Sequence, residues 1–283
     1  MVVGGSSLYV ELLNDYFATF TNFRLDFVRG YKLPNYVNNK TLFIIASHSG
    51  NTEETLTILD DVLKNRLDCF VFTSGGKLLN IAIENSIPHY VLPSGVQPRL
   101  STGYFISGVL VLLSKLSIIN KTSLEDLLRI SNLLENNLDE SLAKNLAQRM
   151  LNKVVLIYST EENSSIARIS KIKFNENAKV PAFWNFFPEL NHNEMVGFTN
   201  LLFDPFFLIF QSKFTNQRNQ KRIEVLAEIM KEKDSEVEIV LMKGESVLEE
   251  ILNAYYLVDH IYNLLFSRSL FYRSRTSLYG RRL

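Results

Sequence analysis

The amino-acid sequence predicts an α/β protein with two domains, each a parallel sheet with helices on both faces in three layers. The main observation is that short apolar runs rich in β-branched residues alternate with segments of helical periodicity. The run 41–45, for example, is followed by Leu56, Leu59 and Leu63, which share one helix face. The alternation starts again near residue 153, and a chain of 283 residues can bury two cores.

Composition and charge argue against several classes of protein. The 30 basic and 30 acidic side chains give a formal net charge of zero, so nothing general points to nucleic acid. No apolar run approaches the roughly 20 residues that span a bilayer, and the start at Met1 does not resemble a signal peptide. Cys69 is the only cysteine, and the histidines lack metal-ligand spacing. We therefore expect a cytoplasmic protein without a metal, a cofactor or a membrane partner.

In the first half of the chain, the predicted elements follow one another as strand, helix, strand, helix. The glycines after Val3 indicate a turn from a first strand into a helix. Loops that follow the strands of such a sheet gather at its carboxyl edge, where ligands bind. The predicted strands end near residues 3, 28, 45, 73 and 92, and the predicted helices cover residues 8–20, 55–63, 77–85 and 101–117.

The second half repeats this plan after a helical connector. Leucines recur at helical spacing after Thr122, and the other side of this stretch is polar. We therefore predict a first domain over 1–120, a connecting helix over 121–152, and a second domain over 153–283 with a C-terminal tail helix. The second domain has predicted strands at 153–158, 180–186, 203–210 and 237–241, and predicted helices at 166–178, 216–233 and 247–266.

The turn at residues 47–52 carries the strongest indication of a binding site. Ser47, Ser49 and Thr52 crowd the turn with hydroxyl groups, and Gly50 allows the backbone to approach a ligand closely. The turn leads from a predicted strand into a predicted helix, where free N–H groups and the helix dipole favour an anion such as phosphate. An ordinary helix cap rich in serine and threonine is the alternative. The hydroxyl groups and the glycine together favour phosphate.

Three charged or titratable residues are candidates for catalysis. Glu176, at the end of a predicted helix, offers a carboxylate base, and His192 offers a group that titrates near neutral pH. Arg99, in a loop at the ligand-facing edge, offers a guanidinium to a phosphate or an oxyanion. The alternatives are a solvated carboxylate, a histidine held by neighbouring asparagines, and a surface arginine without a function.

Six segments, taken in order, resemble one known family. Together they are similar to the archaeal-type bifunctional phosphoglucose/phosphomannose isomerases, which have two sugar isomerase (SIS) domains. The segments around Glu176 and His192 are more specific to this family than the serine-rich turn, and the matches extend over nearly the whole chain. The six segments are 4–6, 47–55, 73–78, 98–99, 175–179 and 188–193.

The resemblance implies a metal-independent aldose–ketose isomerase that interconverts glucose, mannose and fructose 6-phosphates through a cis-enediolate. Glu176 would move the proton between C1 and C2, and Arg99 would stabilise the enediolate. His192 would open the sugar ring, reaching the site from the partner subunit of a homodimer. In the family, the serine-rich turn holds the phosphate and the first glycine-rich turn lies near the sugar. The resemblance thus implies binding roles for Ser47, Ser49, Thr52, Gly5 and Ser6.

The chain also departs from the family pattern. Ser7 replaces a glycine, and Gly280 stands where the family has a lysine that assists ring opening, with Arg281 beside it. The family usually has a further helix before the first glycine-rich turn, whereas Gly4 here follows only Met1-Val2-Val3. A weakly active or inactive phosphosugar-binding sensor is therefore the main alternative. An SIS transcriptional regulator and an amino-sugar phosphate isomerase have less support, because the sequence shows neither a helix-turn-helix segment nor an amine-handling set.

Overall fold

The computed structural model of the chain describes residues 1–3, 7–23, 25–93, 95–96, 100–134 and 138–279. Within the helices, the side chains of residues 7–8 and 268–279 are not part of this description. The chain forms two compact units, Met1–Leu127 and Leu128–Leu283. The domain limits expected from the sequence, 1–120 and 153–283, stay predictions. Among the described helices, none combines the length and the apolar character that crossing a membrane requires.

The first unit is built on a parallel sheet whose described strands have the order β2-β1-β3-β4-β5. Val3 pairs with Ile45, and Ala46 pairs with Phe72, so β1, β3 and β4 end at the same edge. The strands are β1 (Val2–Val3), β2 (Phe27–Val28), β3 (Phe43–Ala46), β4 (Cys69–Thr73) and β5 (His89–Val91). The helices are α1 (Ser7–Phe17), α2 (Glu53–Lys64), α3 (Gly76–Glu84) and α4 (Thr102–Lys115), followed by α5 (Thr122–Leu134).

Strand β3 lies at the centre of the first core and positions the turn that follows it. All four of its residues are buried, as expected for a parallel strand covered on both faces. Helix α2 packs Ile58, Leu59 and Val62 into the same core. The predicted helix face was centred on Leu56, Leu59 and Leu63, but Leu56 and Leu63 are only partly buried at its margin. The apolar stripe of α2 is therefore rotated from the predicted one.

The second unit repeats the strand order of the first, as the sequence indicates. Its described strands are all parallel and have the order β7-β6-β8-β9. In both sheets, therefore, the first four strands along the chain are arranged in the order second, first, third, fourth. The strands are β6 (Val154–Thr160), β7 (Ala182–Phe187), β8 (Pro205–Gln211) and β9 (Glu236–Leu241). The helices are α6 (Glu140–Arg149), α7 (Ser164–Lys173), α8 (Glu194–Gly197), α9 (Gln217–Glu232) and α10 (Val247–Tyr279).

Two helical segments differ from the prediction for local reasons. In place of one connecting helix over 121–152, the structure has α5 and α6, with Asp139 as the N-cap of α6. Asp139 accepts a hydrogen bond from the Leu142 N–H at 3.0 Å, which satisfies a free donor of the new helix. The last helix extends to Tyr279 rather than to 266, because no glycine or proline interrupts α10.

A third difference lies at the end of α7. The prediction is one helix over 166–178, but regular α-helix ends at Lys173 and a π-helical turn follows over Phe174–Ala178. Lys179 then adopts a left-handed conformation with φ of 59° and leads the chain towards β7. A π-helical turn is rare and occurs frequently at functional sites. This one carries Glu176.

Candidate active site

The turn at residues 47–52 lies at the carboxyl edge of the first sheet, between β3 and α2. Ser47 is buried, and its Oγ lies 2.9 Å from Oγ1 of Thr52, while the Gly50 N–H donates to Ser47 Oγ at 3.2 Å. Thr52 is the N-cap residue of α2, yet its side chain makes no capping hydrogen bond. The alternative of an ordinary serine/threonine cap therefore does not describe this turn. Ser49 is exposed at its tip.

Gly50 is required where this turn packs against the turn that follows β4. Its φ is +66°, and a Cβ atom there would lie 1.8 Å from the backbone oxygen of Gly75. Gly76 is equally restricted, since its Cβ would lie 2.4 Å from the Ser49 backbone oxygen. Ser74 Oγ also donates to the His48 carbonyl at 2.6 Å. The second turn thus supports the first, a role that the sequence analysis did not identify although the glycines indicate it.

Glu176 lies in the middle of the π-helical turn with its side chain exposed. Within the described chain, its carboxylate forms no ion pair or hydrogen bond, while its backbone oxygen accepts from Lys179 Nζ at 2.5 Å. Asn175 joins the turn to the first residue of β7, because its side chain accepts from the Ala182 N–H at 2.8 Å and donates to the Ala182 carbonyl at 3.3 Å. An uncommitted carboxylate therefore sits on a firmly attached backbone.

His192 is the last residue of a 3₁₀ turn, Glu189–His192, and is exposed. The segment is held by Glu194, whose carboxylate accepts hydrogen bonds from Tyr158 Oη and from Asn185 Nδ2, both at 2.7 Å. Burial, helped by the Glu194 charge, raises the pKa of Tyr158 far above its ordinary value. The phenol therefore stays a hydrogen-bond donor at any physiological pH.

The asparagines beside His192 bind other groups. Asn191 donates to the sulfur of Met195, and Asn193 caps α8 by accepting from the Glu194 N–H at 2.6 Å. The alternative in which neighbouring asparagines hold the imidazole is therefore not what the structure shows. Glu194, which the sequence analysis missed, holds this segment. A glutamate in the first turn of a short helix gives no sequence indication of such a role.

The structure separates Glu176 from His192 along strand β7. The turn with Glu176 precedes β7 and is tied to Ala182 at its start, whereas His192 follows the end of the strand. Six residues of strand span about 20 Å. His192 also belongs to a segment that packs with α9, since Leu190 shares a core cluster with Ile223. The two candidate catalytic groups are thus not brought together within one chain.

Three candidate residues, Gly5, Ser6 and Arg99, lie outside the described residues, as do Gly280 and Arg281. Their roles stay predictions. Searched over the described part of the chain, the structure holds no group of three or more His, Cys, Asp or Glu side chains arranged to bind a metal ion.

The second unit has a corresponding turn between β8 and α9, but an internal carboxylate uses its donors. Glu250, on α10, is fully buried and accepts hydrogen bonds from Ser212 Oγ and from the Lys213 N–H at 3.1 Å. Ser212 follows its strand directly, as Ser47 does in the first unit, and its Oγ also accepts from the Phe214 N–H. Burial raises the pKa of Glu250, and the two hydrogen bonds oppose this shift.

Fold and site together define a protein with two SIS-type units and, in the first unit, a serine-rich turn whose hydroxyl groups and position at a helix N-terminus suit an anion. The chain matches the bacterial phospho-glucose isomerase C-terminal SIS domain family over residues 139–262. Glucosamine-6-phosphate deaminase from Thermotoga maritima superposes with a TM-score of 0.66 at 16% identity, covering 94% of this chain and 84% of that chain. This likeness confirms the predicted fold.

Two curated relatives extend over most of the sequence. The bifunctional phosphoglucose/phosphomannose isomerase of Caldicellulosiruptor bescii is 33% identical over 92% of this chain and 80% of its own length. The protein of the same name from Aquifex aeolicus is 35% identical over 83% of this chain and 72% of its own length. The chain therefore belongs to the bifunctional phosphoglucose/phosphomannose isomerase family, as the sequence segments indicate.

The raised pKa of Glu250 predicts a specific pH dependence of stability. The folded protein binds the carboxyl proton of Glu250 more tightly than the unfolded chain does, so protonated Glu250 favours folding at low pH. That contribution is lost as the pH rises from about 4, the ordinary glutamate value, towards neutrality. The melting temperature of Glu250→Gln, measured relative to that of the wild type, should therefore increase as the pH rises. The exposed Glu232→Gln is the control, and an equal pH trend in both variants would contradict the assignment.

Proposed function

We propose that this chain is a metal-independent aldose–ketose isomerase that interconverts glucose 6-phosphate, mannose 6-phosphate and fructose 6-phosphate. The observation that carries the proposal is the uncommitted carboxylate of Glu176 on a rigid π-helical turn, in a chain whose relatives are named bifunctional phosphoglucose/phosphomannose isomerases. A base that shuttles a proton needs a free carboxylate in a fixed position. The enzyme would act in the cytoplasm as a homodimer.

In this proposal, Glu176 takes the proton from C2 of the open-chain aldose and returns it to C1. The hydroxyl proton moves from O2 to O1, so the cis-enediolate becomes the ketose without net gain or loss. The enediolate is planar at C2, and a proton returned to either face gives the glucose or the mannose configuration. One base thus serves both epimers, and Arg99 would stabilise the charge on the enediolate oxygens.

The phosphate would bind at the turn that contains Ser47, Ser49 and Thr52. The paired hydroxyls of Ser47 and Thr52 and the free N–H groups at the start of α2 support this role. Gly5 and Ser6 would lie near the sugar, a role that rests on the resemblance. With the phosphate held remotely, binding energy is available to orient C1 and C2.

His192 would open the ring by protonating O5 in the site of the partner subunit. Two observations support this arrangement. The imidazole is exposed, and it follows the end of β7, whereas Glu176 of the same chain precedes the start of that strand. A ring-opening acid and an enolising base must both reach one hexose, which is far shorter than β7. A histidine supplied by a second copy meets this requirement.

The proposed activity can be measured directly with purified protein in the presence of a chelator. Fructose 6-phosphate should be converted to both glucose 6-phosphate and mannose 6-phosphate. Glu176→Gln keeps the shape but removes the base, so turnover should fall by at least about a thousandfold while fructose 6-phosphate still binds. Glu232→Gln, an exposed glutamate of the same unit at the end of α9, is the matched control. Binding without turnover in the wild type would favour the sensor alternative, and near-normal turnover of Glu176→Gln would exclude Glu176 as the base.

The phosphate turn makes a separate prediction about binding. Gly50→Ala forces a methyl group against the Gly75 carbonyl at a strained φ, so the turn must move. We expect inorganic phosphate and fructose 6-phosphate to bind at least about tenfold more weakly by calorimetry. Gly30→Ala, where a Cβ meets nothing within 4 Å, should bind like the wild type. Unchanged phosphate affinity in Gly50→Ala would place the anion site elsewhere.

The shared site predicts complementation between two inactive variants. Glu176→Gln and His192→Ala chains, co-expressed with different affinity tags, form mixed dimers in which one site keeps both groups. Random mixing should restore about a quarter of wild-type activity. Each variant expressed alone supplies the baseline. Activity equal to the sum of the separate variants would mean that both groups act within one chain.

A further inference from the structure

Lys173 is a charged side chain buried beside the turn that carries Glu176. It is the last residue of α7 and directly precedes the π-helical turn, and it is only 3% exposed. Burial lowers the pKa of the Lys173 ammonium, and the neighbouring Asp259 opposes this shift. Lysine is almost never fully buried unless it is paired, because removing an ion from water is unfavourable. The position of this lysine therefore needs an explanation.

The partners of Lys173 all belong to one face of α10. Its ammonium is hydrogen-bonded to the carboxylate of Asp259, and it lies 4.1 Å from the ring centroid of Tyr255 and 5.3 Å from that of Tyr262. Residues spaced by three and four lie on the same side of a helix. Asp259 and the two rings thus form a pocket that receives the ammonium by charge pairing and cation–π contact.

The direction of the Glu176 side chain depends on the backbone of its turn, because its carboxylate has no partner in the described chain. Downstream, Asn175 ties the turn to Ala182 at the start of β7. Upstream, regular α-helical hydrogen bonding ends at Lys173. The buried pair with Asp259 joins this upstream end to α10 by a direct hydrogen bond between charged groups.

We propose that the Lys173–Asp259 ion pair positions the π-helical turn, so that Glu176 points at the sugar carbons of the bound substrate. Lys173 and Asp259 are positioning residues in this view, and neither contacts the substrate. The inference rests on the proposed function, because it assigns them to the base of that reaction. A misplacement of about 1 Å costs up to about a hundredfold in rate, so losing the pair should affect the chemical step.

The test compares Asp259→Asn with a matched variant on the same helix. Asp259→Asn should lower kcat for fructose 6-phosphate by at least about tenfold. KM and inhibition by inorganic phosphate should not change, since the phosphate turn belongs to the first unit. Glu249→Gln breaks the 2.9 Å ion pair between Glu249 and Arg129, also on α10, and should leave kcat within about twofold of wild type.

A double variant separates positioning from stability. Asp259→Asn alone leaves an unpaired buried ammonium and lowers the melting temperature, whereas Lys173→Met with Asp259→Leu removes both charges and should melt close to wild type. We expect its kcat to stay low. A wild-type kcat in the double variant would overturn this inference but leave the proposed function standing. The same holds if Glu249→Gln loses as much kcat as Asp259→Asn. If the wild type binds fructose 6-phosphate but never isomerises it, the proposed function fails and the inference fails with it.

Discussion

The close approach of two backbone turns at the carboxyl edge of the first sheet is the constraint on which the proposed phosphate site depends. The pairing of β3 with β4 brings the turns together, and Gly50 and Gly76 then allow a contact that a Cβ would prevent. The 73–76 turn packs against the 47–52 turn at both glycines, and Ser74 Oγ donates to the His48 carbonyl at 2.6 Å. The Ser47 and Thr52 hydroxyls lie 2.9 Å apart, and a turn held in this way would lose less conformational entropy if it bound a phosphate, as proposed.

The two units share one strand order but differ in what fills the corresponding turn. In the first unit, the Ser47 hydroxyl lies 2.9 Å from that of Thr52, and among the described residues no acidic side chain is bonded to either. In the second, Glu250 reaches from α10 and takes the Ser212 hydroxyl and the Lys213 N–H. A carboxylate offers the same kind of oxygens as a phosphate, so it satisfies the donors of the turn internally. In the proposed function, the first unit would contribute the phosphate turn and the second unit would contribute Glu176 and His192.

Much of this architecture is predictable from sequence because parallel strands buried on both faces are continuous apolar runs. The strand β3 and the serine-rich turn after it fall where the pattern predicts them. The π-helical turn could not be predicted, since a local change in hydrogen bonding leaves the apolar spacing of α7 unaltered. The ion pair of Lys173 with Asp259 joins residues 86 positions apart, and no local pattern reveals such a contact.

The distance between Glu176 and His192 explains why sequence proximity misleads in this protein. The two residues are near neighbours in the chain, and the resemblance assigns them to one reaction, yet the six-residue strand β7 lies between them. Parallel topology makes this unavoidable, because a helix enters its strand at one edge and the next segment leaves from the other. In the proposed function one site uses both groups, which would require two copies of the chain. In this proposal the Lys173–Asp259 pair would position Glu176, while Glu194 holds the segment of His192 through Tyr158 and Asn185.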